Sequence, residues 1–172
     1  MKKKLFTLAL CTIMAVVMAV PAFAAVTPRI NLYQAYNLSP AFNTGLSIDI
    51  PFSNTNMAPI LSEKGLDKPN QRWTPGRDGT TLKLYASMTI GTAQQKVMCY
   101  IPTREIVELR VEGAGSHPKY SQVEFFTVGG GYYRIQLPNI GSYLKAASPW
   151  NGSGLTVGTY NEFDNTQKWY AQ

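Results

Sequence analysis

The sequence is poor in the residues that do covalent and metal chemistry. It carries one histidine, His117, and two cysteines, Cys11 and Cys99, among 172 residues. His117 stands before Pro118 with no histidine or cysteine cluster beside it, so it reads as an exposed loop residue; neither a metal site nor a cofactor is expected. Long hydrophobic runs are also scarce. The one that exists, Leu5 to Val20, is 16 residues long and slightly short of a spanning helix. It follows Met1-Lys2-Lys3-Lys4 and leads to Pro21-Ala22-Phe23-Ala24, an Ala-x-Ala ending. That is a bacterial-type secretory leader cleaved near Ala24, with an uncleaved anchor as the alternative. Cys11 follows Leu10 rather than the small residue that lipid attachment wants. The expected product is secreted and makes no stable membrane insertion.

Other absences narrow the function. Without its first 24 residues the chain has 148, and the net charge falls from +6 to about +3 because Lys2, Lys3 and Lys4 go. The remaining basic residues form no cluster interleaved with aromatics, which excludes an evident nucleic-acid surface. Cys99 is then alone, so no internal disulfide staples the domain, and in "KVMCYI" it reads as a small buried hydrophobe. The ten acidic residues show no acid/base pair at a shared locus. Glu105, Glu108 and Glu112 are close in sequence, but Glu108 and Glu112 share a strand face with Arg110 as a solvated stripe. Gly129 to Gly131 precede a strand, not a helix, so they cradle no phosphate. These absences argue against an enzyme.

What the chain has is short alternation. Val107, Leu109 and Val111 alternate with Glu108, Arg110 and Glu112, and Tyr133, Ile135 and Leu137 with Arg134 and Gln136. Glycine, proline, asparagine and aspartate break up such runs, which is the pattern of an all-β domain. The runs also repeat. Asn70-Gln71-Arg72-Trp73 is echoed by Thr166-Gln167-Lys168-Trp169, and Ile48 precedes Trp73 by 25 residues, as Leu144 precedes Trp169. The two tryptophans are 96 residues apart, which leaves room for a divergent middle copy. In that copy Phe126 takes the tryptophan place and Glu124 the glutamine place. The three repeats run over roughly 30–76, 77–129 and 130–172.

Three β-repeats, two of them closing in Gln-x-Trp, resemble the ricin B-type β-trefoil lectins. The resemblance implies a single trefoil domain over 25–172: three units of four strands, six of them forming a closed barrel capped by a hairpin triplet. It also implies that Trp73, Phe126 and Trp169 belong to the core. Gln71 and Gln167 would bond backbone groups left unpaired at a tight corner. In that family the sugar's hydroxyls meet a carboxylate just after the hydrophobic residue of the second strand and an asparagine or similar group before the glutamine, while an aromatic ring roughly ten residues before the tryptophan takes its C–H face.

By that pattern Asp49 and Asn70, with Gln71, are the candidates in the first repeat, which has no ring at the aromatic place. The third repeat is the converse. Tyr160 is well placed and Trp150 is near, with Gln167 in the motif, but Lys145 stands at the carboxylate place and Thr166 replaces asparagine. Asp49 also reads as a strand-surface carboxylate, Tyr160 as a satellite-core ring, and Trp150 as a ring folded over a minor cluster. Asn37-Leu38-Ser39 and Asn151-Gly152-Ser153 match the glycosylation pattern, which a bacterial origin discounts.

The leading expectation is a secreted carbohydrate-binding protein with weak, shallow sites in the first and third repeats, whose partners are glycans or glycoconjugates. The rival is a trefoil that has lost sugar binding and serves a protein partner, as the receptor-binding or delivery subunit of a toxin or adhesin complex. A small hydrolase on this fold is the remote third reading.

Overall fold

Alternation produces strands throughout the computed structural model, which describes residues 29–65, 67–112 and 120–172. The leader, Cys11 and His117 lie outside the described residues. The first unit is β1 (Leu38–Pro40), β2 (Leu46–Asp49), β3 (Ile60–Glu63) and β4 (Trp73–Asp78). The second is β5 (Thr81–Ala86), β6 (Lys96–Ile101), β7 (Ile106–Val111) and β8 (Glu124–Thr127). The third is β9 (Tyr132–Leu137), β10 (Ser142–Ala146), β11 (Leu155–Gly158) and β12 (Trp169–Ala171).

The outer strands of the three units close into a ring. β1 pairs with β12, β12 with β9, β9 with β8, and β4 with β5. Bridges complete it: Lys83 to Gln122 joins β5 to the entry of β8, and Tyr36 to Trp73 joins the entry of β1 to β4. Among the described residues each barrel strand is paired or bridged on both sides, at least at its entry, which shortens the free edges open to aggregation. The inner strands form the hairpins β2–β3, β6–β7 and β10–β11, one per unit. This is the β-trefoil architecture, a six-stranded barrel with a hairpin triplet.

The core explains the spacing of 25. Trp73 Nε1 donates to the carbonyl of Ile48 at 3.0 Å, and Trp169 Nε1 donates to the carbonyl of Leu144 at 3.1 Å. Both indoles are fully buried, so each ring supplies apolar area and each N–H still has an acceptor. Backbone bonds fix the strand around them. Trp73 exchanges both of its backbone bonds with Tyr36, and Trp169 pairs with Tyr133. The C-terminus is therefore held by β1 and β9 rather than left to fray.

In the second unit the register differs from the sequence reading. Phe126 is 42% exposed and does not enter the core; it lies opposite Arg134, beyond the place the indoles occupy. Val123 fills that place: it donates to the carbonyl of Leu82 at 2.9 Å and is buried. Met98, 25 positions earlier, is buried as Ile48 and Leu144 are. The motif there is Ser121-Gln122-Val123, so Glu124 is not the glutamine counterpart. A valine cannot fill an indole's volume, and an apolar void of about 10 Å³ remains between Val123, Met98 and Val107.

Trp73→Ala is expected to lower stability by about 3–5 kcal/mol, the cost of deleting a buried aromatic ring. Urea unfolding followed by circular dichroism checks this, and an unchanged midpoint would contradict the core described here.

Candidate functional site

The two glutamines of the motif act as clamps. Gln71 Nε2 donates to the carbonyl of Glu63 at 2.8 Å, while its Oε1 accepts from the amide of Gly65 at 2.8 Å. Gln167 repeats the device, donating to the carbonyl of Thr159 at 2.7 Å and accepting from Asn161 N–H at 3.2 Å. Both side chains are buried and neither faces solvent, so they hold the chain where β3 and β11 end and present nothing to a ligand. This corrects their place among the sugar-binding candidates.

Asp49, Asn70 and Gln71 are brought together, with Asp49 and Gln71 buried and Asn70 half-buried beside them. Asp49 is 5% exposed. Its Oδ1 accepts from Asn70 Nδ2 at 2.8 Å and its Oδ2 from Gln71 Nε2 at 2.6 Å. Asn70 also bonds the carbonyl of Ile50 at 3.1 Å. The group is a polar hub that orients the clamp.

The third unit reverses the charges. Lys145 replaces Asp49 and lies 3.5 Å from Asp164, which opens the turn before Trp169 where Lys68 opens its counterpart. Burial works against the Asp164 carboxylate. Bonds from the Thr166 hydroxyl and amide, with the Lys145 charge, outweigh that and hold its pKa below the ordinary value. Tyr160 stands outside this pair and is 57% exposed. The buried guanidinium of Arg134 lies 4.7 Å from its ring centroid and bonds the carbonyls of Asn161 and Glu162. Tyr143 meets the ring edge-on at 5.5 Å. One side of Tyr160 is thus fixed while much of the ring remains open to solvent.

Trp150 is 71% exposed, so it is not folded over a minor cluster. Its loop is stapled to β3: Leu61 N–H donates to Ser153 and Gly152 N–H donates to Leu61, both at 2.7 Å. Gly152 makes the turn at φ 84°, which a residue with a Cβ resists. The indole borders an open cleft of about 780 Å³ between the first and third units. Phe42, Asn43, Glu63, Lys64 and Asn151 share its walls, placing a carboxylate, two amides and an ammonium around one exposed ring. The volume lies within the range of about 300–1,000 Å³ typical of small-ligand sites.

Sequence reasoning missed these walls, because they come from the mouth of a hairpin rather than from the motif. A signal was available: Lys64, Glu112 and Tyr160 are spaced by 48 residues. Each lies just past the outer end of its hairpin. Glu112 in particular is no solvated stripe, since Lys83 and Tyr85 both bond it. Cys99, next to Met98, occupies Asp49's place in the second unit. Burial pushes its thiol up to about 11, which makes it a poor nucleophile.

No protein-family model matches the chain, and no curated protein does. Solved structures do. A designed three-fold symmetric protein, ThreeFoil, superposes with a TM-score of 0.65 at 19% identity, over 80% of this chain and 96% of that one. A ricin B-like lectin from Macrolepiota procera, solved in complex with lactose, gives 0.61 at 15% identity over 84% and 99%. A mosquitocidal holotoxin gives 0.67 at 12% identity over 83% of this chain, which spans only 17% of that structure. Likeness at these identities establishes the shared trefoil fold.

Asp49→Ala is expected to lower stability by about 1–3 kcal/mol, because buried amide donors of Gln71 and Asn70 lose an acceptor. Thermal or urea unfolding measures it. Unchanged stability would return Asp49 to the role of a ligand-facing carboxylate.

Proposed function

We propose that this protein is a secreted, non-enzymatic carbohydrate-binding trefoil that engages pyranose rings at the mouths of its hairpins. The observation that carries the proposal is the exposed Trp150 indole, on a loop stapled to β3, over a cleft walled by Asn43, Glu63 and Asn151. An aromatic face suits the C–H side of a sugar, and carboxylate and amide groups suit its vicinal hydroxyls. Because the loop is stapled before any ligand arrives, little ordering cost falls on binding. Tyr160, fixed by Arg134, offers a second platform in the third unit. The likeness to a lectin solved with lactose supports this reading, and Asp49 supports the site only through the hub.

A second reading rests on a separate observation. Phe52 and Phe163 are large, exposed rings outside the Trp150 cleft, and such residues suit a protein partner. The fold shared with a holotoxin fits a delivery or receptor-binding subunit of a larger complex.

A glycan array probed with the chain from Ala25 to Gln172 tests the first reading. Trp150→Ala is expected to weaken glycan binding about tenfold or more, a loss of about 1.4 kcal/mol or more, and Tyr160→Ala to weaken it less. Both variants are expected to keep the melting curve, since neither ring is buried. A blank array from folded protein would overturn the carbohydrate reading in favour of a protein partner.

A further inference from the structure

A second cleft occupies the same place one unit later. At the mouth of β2–β3, Lys64 N–H donates to the carbonyl of Gly45 at 2.8 Å; at the mouth of β6–β7, Glu112 N–H donates to that of Gln95 at 2.9 Å. The first mouth borrows Trp150 from the third unit. The second borrows Tyr33 from the segment before β1, and opens into a cleft of about 240 Å³ shared with Asp78, Tyr85, Gln95 and Glu112.

Tyr33 is held in an unusual way. Its N–H donates to the carbonyl of Pro75 at 2.7 Å, docking the segment on β4. Its φ is 64°, a left-handed conformation costly for a bulky residue, and its ring is 69% exposed. Gly76 beside it leaves room for the Tyr85 ring, with the Tyr33 ring at ordinary contact distance. A Cβ there would lie 2.8 Å from the Tyr85 ring and 3.5 Å from that of Tyr33. An aromatic ring is therefore kept at the cleft by backbone contacts while much of it stays in water.

The polar wall is equally ordered. Lys83 Nζ bonds Asp78 at 2.6 Å and Glu112 at 3.1 Å. Tyr85 donates to Glu112 Oε1 at 2.6 Å, and Gln95 to Oε2 at 3.3 Å. Burial pulls the Lys83 pKa down, but the bonds and charges of its two partners more than offset this, and the ammonium stays charged. Burial, then Glu112, pushes the Tyr85 pKa up, so the phenol remains a donor. Two carboxylates, Asp78 and Glu112, meet Lys83 and share the cleft with Arg77, which leaves the cluster without net charge and suits a neutral ligand. Asp78, with its side chain 60% exposed and only Oδ2 bonded among the described residues, keeps acceptor capacity for hydroxyls.

We propose that this mouth is an additional site for a neutral pyranose residue, stacked on Tyr33 with its hydroxyls on Asp78 and Gln95. The proposal rests on the carbohydrate reading above and makes the protein multivalent, able to cross-link glycans. Amide chemical shifts of the expressed protein, carrying Trp150→Ala and Tyr160→Ala to silence the other mouths, test it. The titrants are the methyl pyranosides of galactose, glucose, mannose and N-acetylglucosamine. Shifts at Gly76, Gln95 and Glu112 are expected to persist, to vanish with Tyr33→Ala, and to need about fivefold more sugar with Asp78→Asn. The amide spectrum itself reports that each variant is folded. Shifts at the Trp150 mouth of the unaltered protein with none at the Tyr33 mouth would overturn this proposal and leave the carbohydrate reading standing. Absence of shifts at every mouth would overturn both.

Discussion

The bond from an indole N–H to a carbonyl 25 residues earlier is the constraint on which the rest of the structure depends. It appears twice, at 3.0 Å from Trp73 to Ile48 and at 3.1 Å from Trp169 to Leu144. Each bond ties the last strand of a unit to the middle of its second strand. The glutamine two residues earlier then has a fixed origin, and its amide reaches the chain where the third strand ends. Core and surface are thus set by one motif. The ring fills the barrel, and the clamp two residues away decides where Lys64 and Tyr160 stand.

The second unit shows what happens when that constraint is relaxed. With Val123, Ser121 and Met98 in the motif's places there is no indole N–H to satisfy and no glutamine clamp, and a small void is left. The unit keeps its strands because Val123 still bonds Leu82 and the hairpin β6–β7 is the longest of the three. Its mouth is ordered by ions instead. A buried lysine between two carboxylates contributes little net stability, since desolvation offsets the attraction. Its effect is positional: Lys83 and Tyr85 fix Glu112, and Lys83 turns Asp78 toward the same cleft.

The sequence carried the fold well because the fold is written in spacing. Equal intervals around Trp73 and Trp169 identified two units, and each interval is closed by a hydrogen bond from the indole to the carbonyl 25 residues earlier. The middle unit was misregistered for a physical reason. Once the tryptophan is gone nothing in composition marks the core position, and the aromatic Phe126, three residues on, was a better lexical match than Val123. The candidate site was less legible. Asp49 sits where a carboxylate belongs in the resemblance, yet whether its oxygens face a ligand or the neighbouring amides depends on side-chain packing. Tyr33 and Lys83 carried no motif at all. Their partners are 42 and 29 residues away in the chain, at Pro75 and Glu112.

Where the exposed rings fall follows from the same division of labour. Barrel strands are paired on both sides and cannot vary without disturbing the ring. Positions 64, 112 and 160 lie just past the last hairpin pairs, so their backbone is alike while the residue type differs from unit to unit. The chain places lysine, glutamate and tyrosine there. The first two mouths take an aromatic from elsewhere: Trp150 from a stapled loop, and Tyr33 from a docked N-terminal segment. The third supplies its own ring. Threefold repetition of the backbone thus yields three chemically different mouths on one core: an exposed ring stands at each, beside glutamate and lysine at the first, aspartate and glutamate at the second and arginine at the third.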